Sequence, residues 1–404
     1  MKFPIKDDFP VFLNNPDLVY LDSSSTSQTP EAVLNAMDEY YRHYRANSRR
    51  GQYAISARAE NTYESARADV AVFIGAETRE IIFTSGSTAS ANLIVYTLEN
   101  SEIFKEGDEI VTTIMEHHSL FIPLQKLAKR KKLILRVIPL AENFELDYQA
   151  AGKLINEKTK LVAFVGVSNV TGTINDMTRL CEMARKVGAY SLVDATQAVG
   201  HMPVDVKKIG CDFLFFAGHK MCGPIGIGAL YGKQELLEKM EPGFYGGGTV
   251  EEVTLDQVRF SPVPHKFEAG TPNIGGAIGL GVACKYLTDI GMKSIQEYCE
   301  EITEYAISKL GTLPDVKLYC VKDPKKNVGV VSFTVEGIHP HDVGEILSRR
   351  HIATRGGHHC AQPLLKSLGV SSLNRASFYL YTSKEDIDAL VQGLMEVRAI
   401  FTLI

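Results

Sequence analysis

Short apolar segments alternate with helix-like segments between about residue 80 and residue 231. The apolar segments are almost uninterrupted and rich in valine, isoleucine and phenylalanine, which is typical of strands buried on both faces. They are EIIFT (80–84), EIVTT (109–113), LVAFVGV (161–167), YSLVD (190–194), DFLFF (212–216) and IGALY (227–231). One of the intervening helices is expected to start at Asp176 and to end at Gly188. The alternation predicts an α/β domain with a mainly parallel sheet, which binds ligands at the carboxyl ends of its strands.

The C-terminal part of the chain has a different rhythm. A long helical pattern covers about 275–310 and is expected to break at Gly291. The segments that follow are strand-like VKLYC (316–320) and VGVVSFTV (328–335), helix-like DVGEILSRR (342–350), strand-like RASFYLY (375–381) and a final helix from about 384. We therefore predict a large domain at 21–290 and a smaller α+β domain made of 1–20 and 291–404.

Composition and charge narrow the functional classes. The chain has 404 residues and a net charge of −5, which argues against a dedicated nucleic-acid binder. The basic cluster KLAKRKK (126–132) follows an apolar helical pattern and is interpreted as a solvated helix end. The N-terminus MKFPIKDDFP lacks the apolar region of a signal peptide, and no run reaches the roughly 18 apolar residues of a membrane span, so no membrane partner is expected. Seven scattered cysteines without a CxxC pair suit a reducing cytoplasm.

Two predicted strands deliver a carboxylate and an amine to one edge of the sheet. YSLVDATQ ends a buried strand at Asp194, with Gln197 shortly after it, and DFLFFAGHK ends the next strand at Lys220, preceded by His219. Pyridoxal phosphate needs a lysine for a Schiff base and a buried carboxylate that keeps its pyridine nitrogen protonated. Asp194 alone could equally be a helix N-cap and Lys220 a surface lysine, but the pair favours the cofactor site.

A third strand end has the character of a phosphate site. FTSGSTASAN (83–92) passes from a strand through small hydroxyl residues, including Ser87 and Thr88, into a helix. Amide groups at the start of a helix bind anions, and small residues leave room for them. Such turns are common, and the chain has neither a Walker-type lysine nor a GxGxxG dinucleotide fingerprint, so this segment alone specifies no ligand.

Histidines occur in adjacent pairs at 117/118 and 358/359. The first pair, in EHHS (116–119), follows a strand at the same sheet edge, where an imidazole could stack on a planar cofactor and handle protons. Adjacent residues of an extended chain point to opposite sides, and no HxxxH or HExxH motif occurs. We therefore expect no catalytic metal. We interpret His339 and His341 as solvated loop histidines.

Taken together, these motifs resemble a known family. DATQ followed by GHK, with 26 residues from Asp194 to Lys220, resembles the fold type I (aspartate-aminotransferase-type) pyridoxal-phosphate enzymes of the class V aminotransferase group. The set EHH, SNVTGT, GHKMCGPIGIG, GGG, FEAGTPN and RGGHHCAQP resembles the cysteine desulfurases of the short-loop class, which includes Suf-type enzymes and selenocysteine lyases. The likeness covers essentially the whole chain. It implies a homodimer that contains pyridoxal phosphate and acts on L-cysteine.

The resemblance implies roles for the residues at the cofactor. Lys220 would form the Schiff base and Asp194 would pair with the pyridinium nitrogen. Gln197 would contact the phenolic oxygen, and His117 would stack on the ring. The residues implied to hold the phosphate are Ser87, Thr88, His219 and, from the partner subunit, Thr271 of EAGTP.

The resemblance also implies a substrate-binding group and a nucleophile. Asn169 and Arg375 would grip the carboxylate of the substrate, because a guanidinium fork matches a carboxylate. Cys360 would attack the sulfur of the substrate, keep it as a persulfide and release alanine. Its cationic and donor neighbours Arg355, His358 and His359 favour the thiolate form of Cys360. The resemblance also implies that Arg355 binds the substrate. We expect the other cysteines to pack in the core; they are Cys181, Cys211, Cys222, Cys284, Cys299 and Cys320.

Four segments depart from the common pattern of this family. A DNAAT-like start is replaced by DSSST (22–26), and an HRGxH-like segment by RRGQY (49–53), so that Tyr53 stands where a histidine is usual. Ala217 replaces a phosphate-binding serine before GHK, and YTS (381–383) replaces YNT. We expect these departures to affect catalytic efficiency and substrate preference more than the class of reaction.

The leading hypothesis is a cytoplasmic cysteine desulfurase that supplies sulfur for iron–sulfur clusters. RGGHHCAQP and the hairpin-like GGGTVEEVTLDQVRF (246–260) suggest transfer to a small sulfur-acceptor protein. The rival hypotheses are a selenocysteine lyase, which works without the cysteine nucleophile, an aminotransferase of the same fold, and a sulfur-relay protein without cofactor.

Overall fold

A large mixed sheet and a smaller antiparallel sheet organise the protein, in a computed structural model that describes residues 3–48 and 51–402. Residues 49 and 50 of the RRGQY segment lie outside the described residues. In chain order, the strands are β1 (Val19–Tyr20), β2 (Ile81–Thr84), β3 (Glu109–Thr113), β4 (Ile134–Ile138), β5 (Thr159–Val165), β6 (Tyr190–Asp194), β7 (Phe213–Ala217), β8 (Gly228–Gly232), β9 (Val250–Val253), β10 (Val258–Phe260), β11 (Val316–Leu318), β12 (Val330–Val335), β13 (Ile352–Ala353), β14 (Arg355–Gly357) and β15 (Leu373–Ser377).

Helices connect these strands along the chain. In chain order they are α1 (Pro10–Asn14), α2 (Glu31–His43), α3 (Ala54–Ile74), α4 (Ser87–Asn100), α5 (His118–Lys131), α6 (Tyr148–Leu154), α7 (Met177–Lys186), α8 (Val206–Ile209), α9 (Gln234–Lys239), α10 (Ile274–Ile290), α11 (Met292–Leu310), α12 (Pro340–Arg349), α13 (Gln362–Ser367) and α14 (Lys384–Thr402). Asp176 caps α7 by accepting from the N–H of Arg179, as its sequence signal predicts. Gly291, with a φ of 95°, separates α10 from α11 at the predicted break.

The large sheet has the strand order β2-β8-β7-β6-β5-β3-β4. Every neighbouring pair is parallel except those that β8 makes with β2 and β7, so β8 alone runs against the other strands of this sheet. Strands β3, β7 and β8 are buried along their whole length, and β6 is buried after Tyr190, which agrees with their uninterrupted apolar sequences. The predicted α/β class with a mainly parallel sheet is therefore confirmed, and the carboxyl ends of five neighbouring strands meet at one edge.

The smaller sheet, in the order β11-β12-β15-β14, is antiparallel and packs with α11, α12 and α14. Near the N-terminus, β1 pairs in parallel with β13, and the side chain of Lys6 bonds to Asp386 at 2.9 Å. Phe9 and Phe12, however, belong to the core of the large sheet. The N-terminal segment thus contacts both parts, and the division at residues 20 and 290 stays a prediction. Among the described residues, no helix is long and apolar enough to cross a membrane.

Candidate active site

A cavity of about 400 Å³ opens at the edge of the large sheet where the strands carry their carboxyl ends. Nearly all of the predicted site residues line it, although they come from distant parts of the chain. They are Ser87, Thr88, His117, Asn169, Asp194, Gln197, His219, Lys220, Arg355, Cys360 and Arg375. Strand order explains this convergence, because β5, β6 and β7 are neighbours and each ends at the cavity.

Asp194 and Lys220 follow neighbouring parallel strands, β6 and β7. The Asp194 carboxylate is buried and accepts a 2.9 Å hydrogen bond from the N–H of Thr196. Burial raises the pKa of Asp194, while Thr196 and the Lys220 ammonium oppose that rise. Burial, reinforced by Arg375, lowers the pKa of Lys220 to about 8. Lys220 is therefore neutral far more often at physiological pH than an ordinary lysine, as a reactive amine requires.

His117 lies at the junction of β3 and α5. Its Nδ1 accepts from the N–H of Ser119 at 3.1 Å, so this histidine caps the helix, and the neutral ring carries its hydrogen on Nε2. Burial, with repulsion from Lys220, lowers the pKa of His117 to about 3. The imidazole is therefore uncharged at physiological pH and can face a flat aromatic group without a charge of its own.

The start of α4 is a turn of small residues that lines the cavity. Gly86 precedes the helix with a φ of 140°, a value that favours glycine, and Ser87 and Thr88 follow it inside the first turn. The Ser87 hydroxyl lies 2.6 Å from that of Thr196 beside Asp194. The N-terminal amides of this helix and the two hydroxyls offer donors that could bind a phosphate in the cavity.

Arg375 is held rigidly in the lining of the cavity. Its side chain is 2% exposed. It donates to the carbonyl of Asn169 at 2.9 Å and to Oδ1 of Asp22 at 3.1 Å. Asn169 in turn donates through Nδ2 to the carbonyl of His359 at 2.8 Å. A buried cation is thus held ready for a carboxylate and is connected to the segment that carries Cys360.

Cys360 lies in a tight loop between β14 and α13. His359 and Cys360 both have left-handed backbone angles, with φ of 50° and 53°, which non-glycine residues rarely adopt. The main-chain N–H of Cys360 donates to Nδ1 of His358 at 3.2 Å, and its carbonyl accepts from the N–H of His118 at 2.7 Å. The loop is therefore anchored to the first turn of α5, which follows His117.

Burial separates Cys360 from the other cysteines. All seven are reduced, and six are buried, whereas Cys360 is partly exposed. Burial raises the pKa of the thiols of Cys181, Cys222, Cys299 and Cys320 to about 12, and raises those of Cys211 and Cys284 as well. A protonated, inaccessible thiol is a poor nucleophile, so Cys360 is the one cysteine suited to reaction.

Thr271 lies apart from the other predicted residues. It lines two neighbouring cavities, one of about 450 Å³ and one of about 600 Å³, but not the cavity that contains Lys220. The smaller of these shares Ser85, Ala89 and Gly226 with the Lys220 cavity. Thr271 therefore does not complete the site of its own chain, which is the placement expected of a residue that serves a partner subunit.

Several lining residues were not predicted. Ser25 and Thr196 line the cavity, and Asp22 bonds to Arg375. The sequence identifies DSSST (22–26) only as a departure from the family pattern. Thr196 is part of the DATQ motif. Its position two residues after Asp194 is the sequence signal from which its place in the cavity could have been predicted.

The whole chain is similar to known cysteine desulfurases. The family model described as aminotransferase class-V matches residues 19–390, a range that includes every cavity residue named above. A probable cysteine desulfurase from Halalkalibacterium halodurans is 47% identical over 401 residues and covers 98% of both chains. The solved cysteine desulfurase from Thermococcus onnurineus is 43% identical, with a TM-score of 0.94 and 98% of both chains covered. A cysteine desulfurase from Escherichia coli is 35% identical, with a TM-score of 0.91 and the same coverage.

Proposed function

Because the chain belongs to the aminotransferase class-V family and, within it, to the cysteine desulfurases, we propose that its cavity turns L-cysteine into L-alanine and stores the sulfur on Cys360. The observation that carries this assignment of residues is the lining of one cavity by both Lys220 and Cys360. An amine that reacts with carbonyl groups and an accessible thiol in one cavity are what the reaction requires.

Pyridoxal phosphate is the cofactor, and the polar groups at the strand ends fit it. Asp194 supplies a buried carboxylate for the ring nitrogen. Oε1 of Gln197 is buried without a partner among the described residues, so it can still accept a hydrogen bond from a donor of the cofactor. Ser87 and Thr88, at the start of α4, offer donors to the phosphate. When bound, the cofactor supplies an aldehyde for amines and a ring that accepts electrons from the substrate.

Lys220 and His117 have complementary roles. With a pKa of about 8, Lys220 can act as a neutral amine at Nζ and can accept a proton from substrate or return one. His117 stays neutral and offers Nε2–H together with a flat ring face. Asp194 supplies the negative charge that balances the cationic groups on this side of the cavity.

Arg375 and Asn169 orient the substrate by its carboxylate. Arg375 is held from both sides before substrate arrives, by the Asn169 carbonyl and by Asp22, so little ordering is left for the binding step. Because Asn169 also bonds to His359, the carboxylate site is connected to the Cys360 loop. A bound cysteine would therefore have its sulfur at a defined distance from that loop.

The sulfur transfer balances without an added oxidant. The Cys360 thiolate attacks the sulfur of the substrate, an S–S bond forms and the C–S bond breaks. The carbon fragment leaves with the electron pair of the C–S bond and takes up a proton, which yields alanine. Cys360 ends as a persulfide, and the carbon fragment carries the electrons that the sulfur has lost.

Alanine and protein-bound sulfane sulfur, measured after purified protein meets L-cysteine, test this proposal. Cys360→Ala should abolish both, whereas Cys320→Ala, which removes a buried thiol, should retain them. Lys220→Ala should abolish turnover and the visible absorbance of the bound cofactor together. Undiminished alanine production from L-cysteine by Cys360→Ala would overturn the role of the thiol. Survival of L-selenocysteine turnover alone in the same variant would match a selenocysteine lyase. A requirement for a keto acid would indicate an aminotransferase.

Two partners complete the proposal. Thr271 serves the phosphate site of a second copy of this chain, which is supported by its position in neighbouring cavities rather than in the lining of the Lys220 cavity. A small acceptor protein takes the persulfide sulfur from the partly exposed Cys360 and delivers it to iron–sulfur cluster assembly in the cytoplasm. Addition of a cognate acceptor should raise alanine production at a fixed enzyme concentration, and no rise with any acceptor would argue against this step.

A further inference from the structure

Arg355 and Arg375 are directly opposite each other on neighbouring antiparallel strands, β14 and β15. Like charges at such a position destabilise a sheet. Burial lowers the pKa of Arg375, the Asp22 carboxylate opposes this effect, and the charge of Arg355 adds to the lowering. Two guanidinium groups are therefore kept side by side at a cost to the fold, which indicates a use for both of them.

The hydroxyl of Ser25 joins these two arginines. Its Oγ accepts a 2.7 Å hydrogen bond from Nη1 of Arg355 and another of 2.7 Å from Nη2 of Arg375. It donates a third, of 2.6 Å, to Oδ1 of Asp22. A serine hydroxyl has one hydrogen and two lone pairs, so all of its hydrogen-bonding capacity is used and its orientation is fixed.

The two arginines depend on Ser25 to different degrees. Arg375 is buried and is also held by Asn169 and Asp22. Arg355 is exposed, and its bond to Ser25 is the one hydrogen bond of its guanidinium recorded among the described residues. Removal of the Ser25 hydroxyl therefore releases Arg355, whereas Arg375 keeps its other anchors.

Ser25 is also a position where this chain differs from the pattern it resembles. DSSST (22–26) stands in place of a DNAAT-like segment, so a hydroxyl replaces the methyl group of an alanine at position 25. The resemblance therefore implies that the fold forms with alanine at this position and that the Ser25 hydroxyl is an addition to the site.

We propose that Ser25 is a positioning residue that fixes Arg355 beside Arg375 and so builds a two-guanidinium clamp for the carboxylate of the amino-acid substrate. The inference rests on the proposed function, since Arg375 must be the carboxylate anchor. A carboxylate has two oxygens and accepts from both guanidinium groups at once. Substrates that lack this negative charge gain nothing from the second arginine.

The test compares L-cysteine with its methyl ester in the holoenzyme. Ser25→Ala should raise KM for L-cysteine about 5- to 10-fold, as expected for the loss of one hydrogen bond, with kcat changed less than about twofold. The KM for the methyl ester should hardly change, so the preference for the free acid should fall. Ser294→Ala, at an exposed site on α11, is the matched control.

A double-mutant cycle with Arg355→Ala decides whether Ser25 acts through that residue. Once Arg355 is absent, Ser25→Ala should add no more than about a twofold rise in KM. Additive effects, or equal losses for the acid and the ester, would overturn the clamp. Dissociation constants for L-alanine, measured by calorimetry on the same variants, report carboxylate binding without turnover. They remain informative if the wild-type protein releases no alanine from cysteine, a result that would count against the proposed function instead.

Discussion

Oε1 of Glu116 accepts a 3.0 Å hydrogen bond from the main-chain N–H of Val165. Val165 is the residue of β5 that pairs with Asp194 on β6, so the Glu116 side chain joins the end of β3 to the strand beside Asp194. The same oxygen accepts a 2.5 Å bond from the Thr113 hydroxyl, while Oε2 is buried without a partner among the described residues. Burial raises the pKa of Glu116 to about 8, so the group is protonated in the folded protein at neutral pH.

Protonation of Glu116 makes stability depend on pH in a defined direction. The folded-state pKa lies above the unfolded value of about 4.3, so the stabilisation is complete below that value. It is lost as the pH rises toward about 8, because the unfolded chain releases the proton more easily. Glu116→Gln, which mimics the neutral acid, should lose less thermal stability between pH 5 and pH 8 than wild type. Equal losses in Tm, measured by circular dichroism, would contradict a protonated Glu116.

Thiol titration should distinguish Cys360 from the six buried cysteines. In the native protein, a disulfide reagent should modify one of the seven thiols rapidly, since only Cys360 is partly exposed. Cys360→Ala should remove that fast phase, and full denaturation should expose all seven thiols in wild type. Two or more fast thiols in the native protein would show that burial does not protect the others.

The sequence locates the central strands well, because they are almost entirely buried. EIVTT and YSLVD coincide with β3 and β6, whereas DFLFF and IGALY begin and end one residue before the equally buried β7 and β8. The sequence does not predict β4, since it is an edge strand whose first four residues alternate between exposed and half-buried. RASFYLY was placed too late, because β15 ends at Ser377 and the aromatic residues after it are buried by packing, as Tyr379 is against the His201 ring.

The candidate site divides in the same way. Groups that follow strands, such as Asp194 and Lys220, were predictable because parallel strands bring their carboxyl ends together. Ser25 lies about 330 residues from Arg355 in sequence, and its contact depends on how β1 and the following turn pack against β14 and β15. No local pattern encodes such a contact, so only the folded chain reveals which hydroxyl of DSSST meets the arginines.

A buried ion pair supports the segment that carries Thr271. Arg67 is fully buried and makes two hydrogen bonds to Glu268, of 2.5 and 3.0 Å, while Glu268 also accepts from the N–H of Phe83. Glu268→Gln leaves a buried guanidinium poorly compensated and should lower the free energy of unfolding by about 3 kcal/mol. Glu64→Gln is the matched control, because Glu64 bonds to the same arginine from a side chain that is 37% exposed.

The control variant should cost about 1 kcal/mol or less, as is usual for a pair open to solvent. Denaturant unfolding of wild type and both variants provides the comparison. A cost for Glu64→Gln as large as that for Glu268→Gln would show that burial does not decide the strength of this cluster.

Mixed dimers should reveal which subunit Thr271 serves. Lys220→Ala and Thr271→Ala chains should each have little activity alone, because each dimer lacks one group at both sites. When the two variants are mixed and allowed to exchange, a dimer forms in which one site has Lys220 from one chain and Thr271 from the other. Recovery of activity toward about one quarter of wild type is expected. No recovery, with exchange verified by differently tagged chains, would place Thr271 in the site of its own chain.

The Cys360 loop depends on two imidazole nitrogens as hydrogen-bond acceptors. Nδ1 of His358 accepts from the N–H of Cys360, and Nε2 of His118 accepts from the N–H of Gln362, each at 3.2 Å. The two rings lie 5.8 Å apart. Burial and the neighbouring His358 lower the pKa of His118 below its ordinary value, so His118 is neutral and able to accept at neutral pH.

Loss of the His118 acceptor should therefore loosen the loop. His118→Ala removes Nε2 but keeps the main-chain N–H that bonds to the Cys360 carbonyl, so the loop should remain attached at one point. We expect faster hydrogen exchange at Gln362 and faster alkylation of Cys360 at pH 7.5, with His43→Ala, at an exposed position on α2, as the control. In wild type, acidification should accelerate exchange at Gln362 relative to the intrinsic rate, because a protonated ring cannot accept from an N–H group. Exchange at Gln362 that is unchanged in His118→Ala would mean that the strained backbone at His359 and Cys360 is held by the main-chain bonds alone.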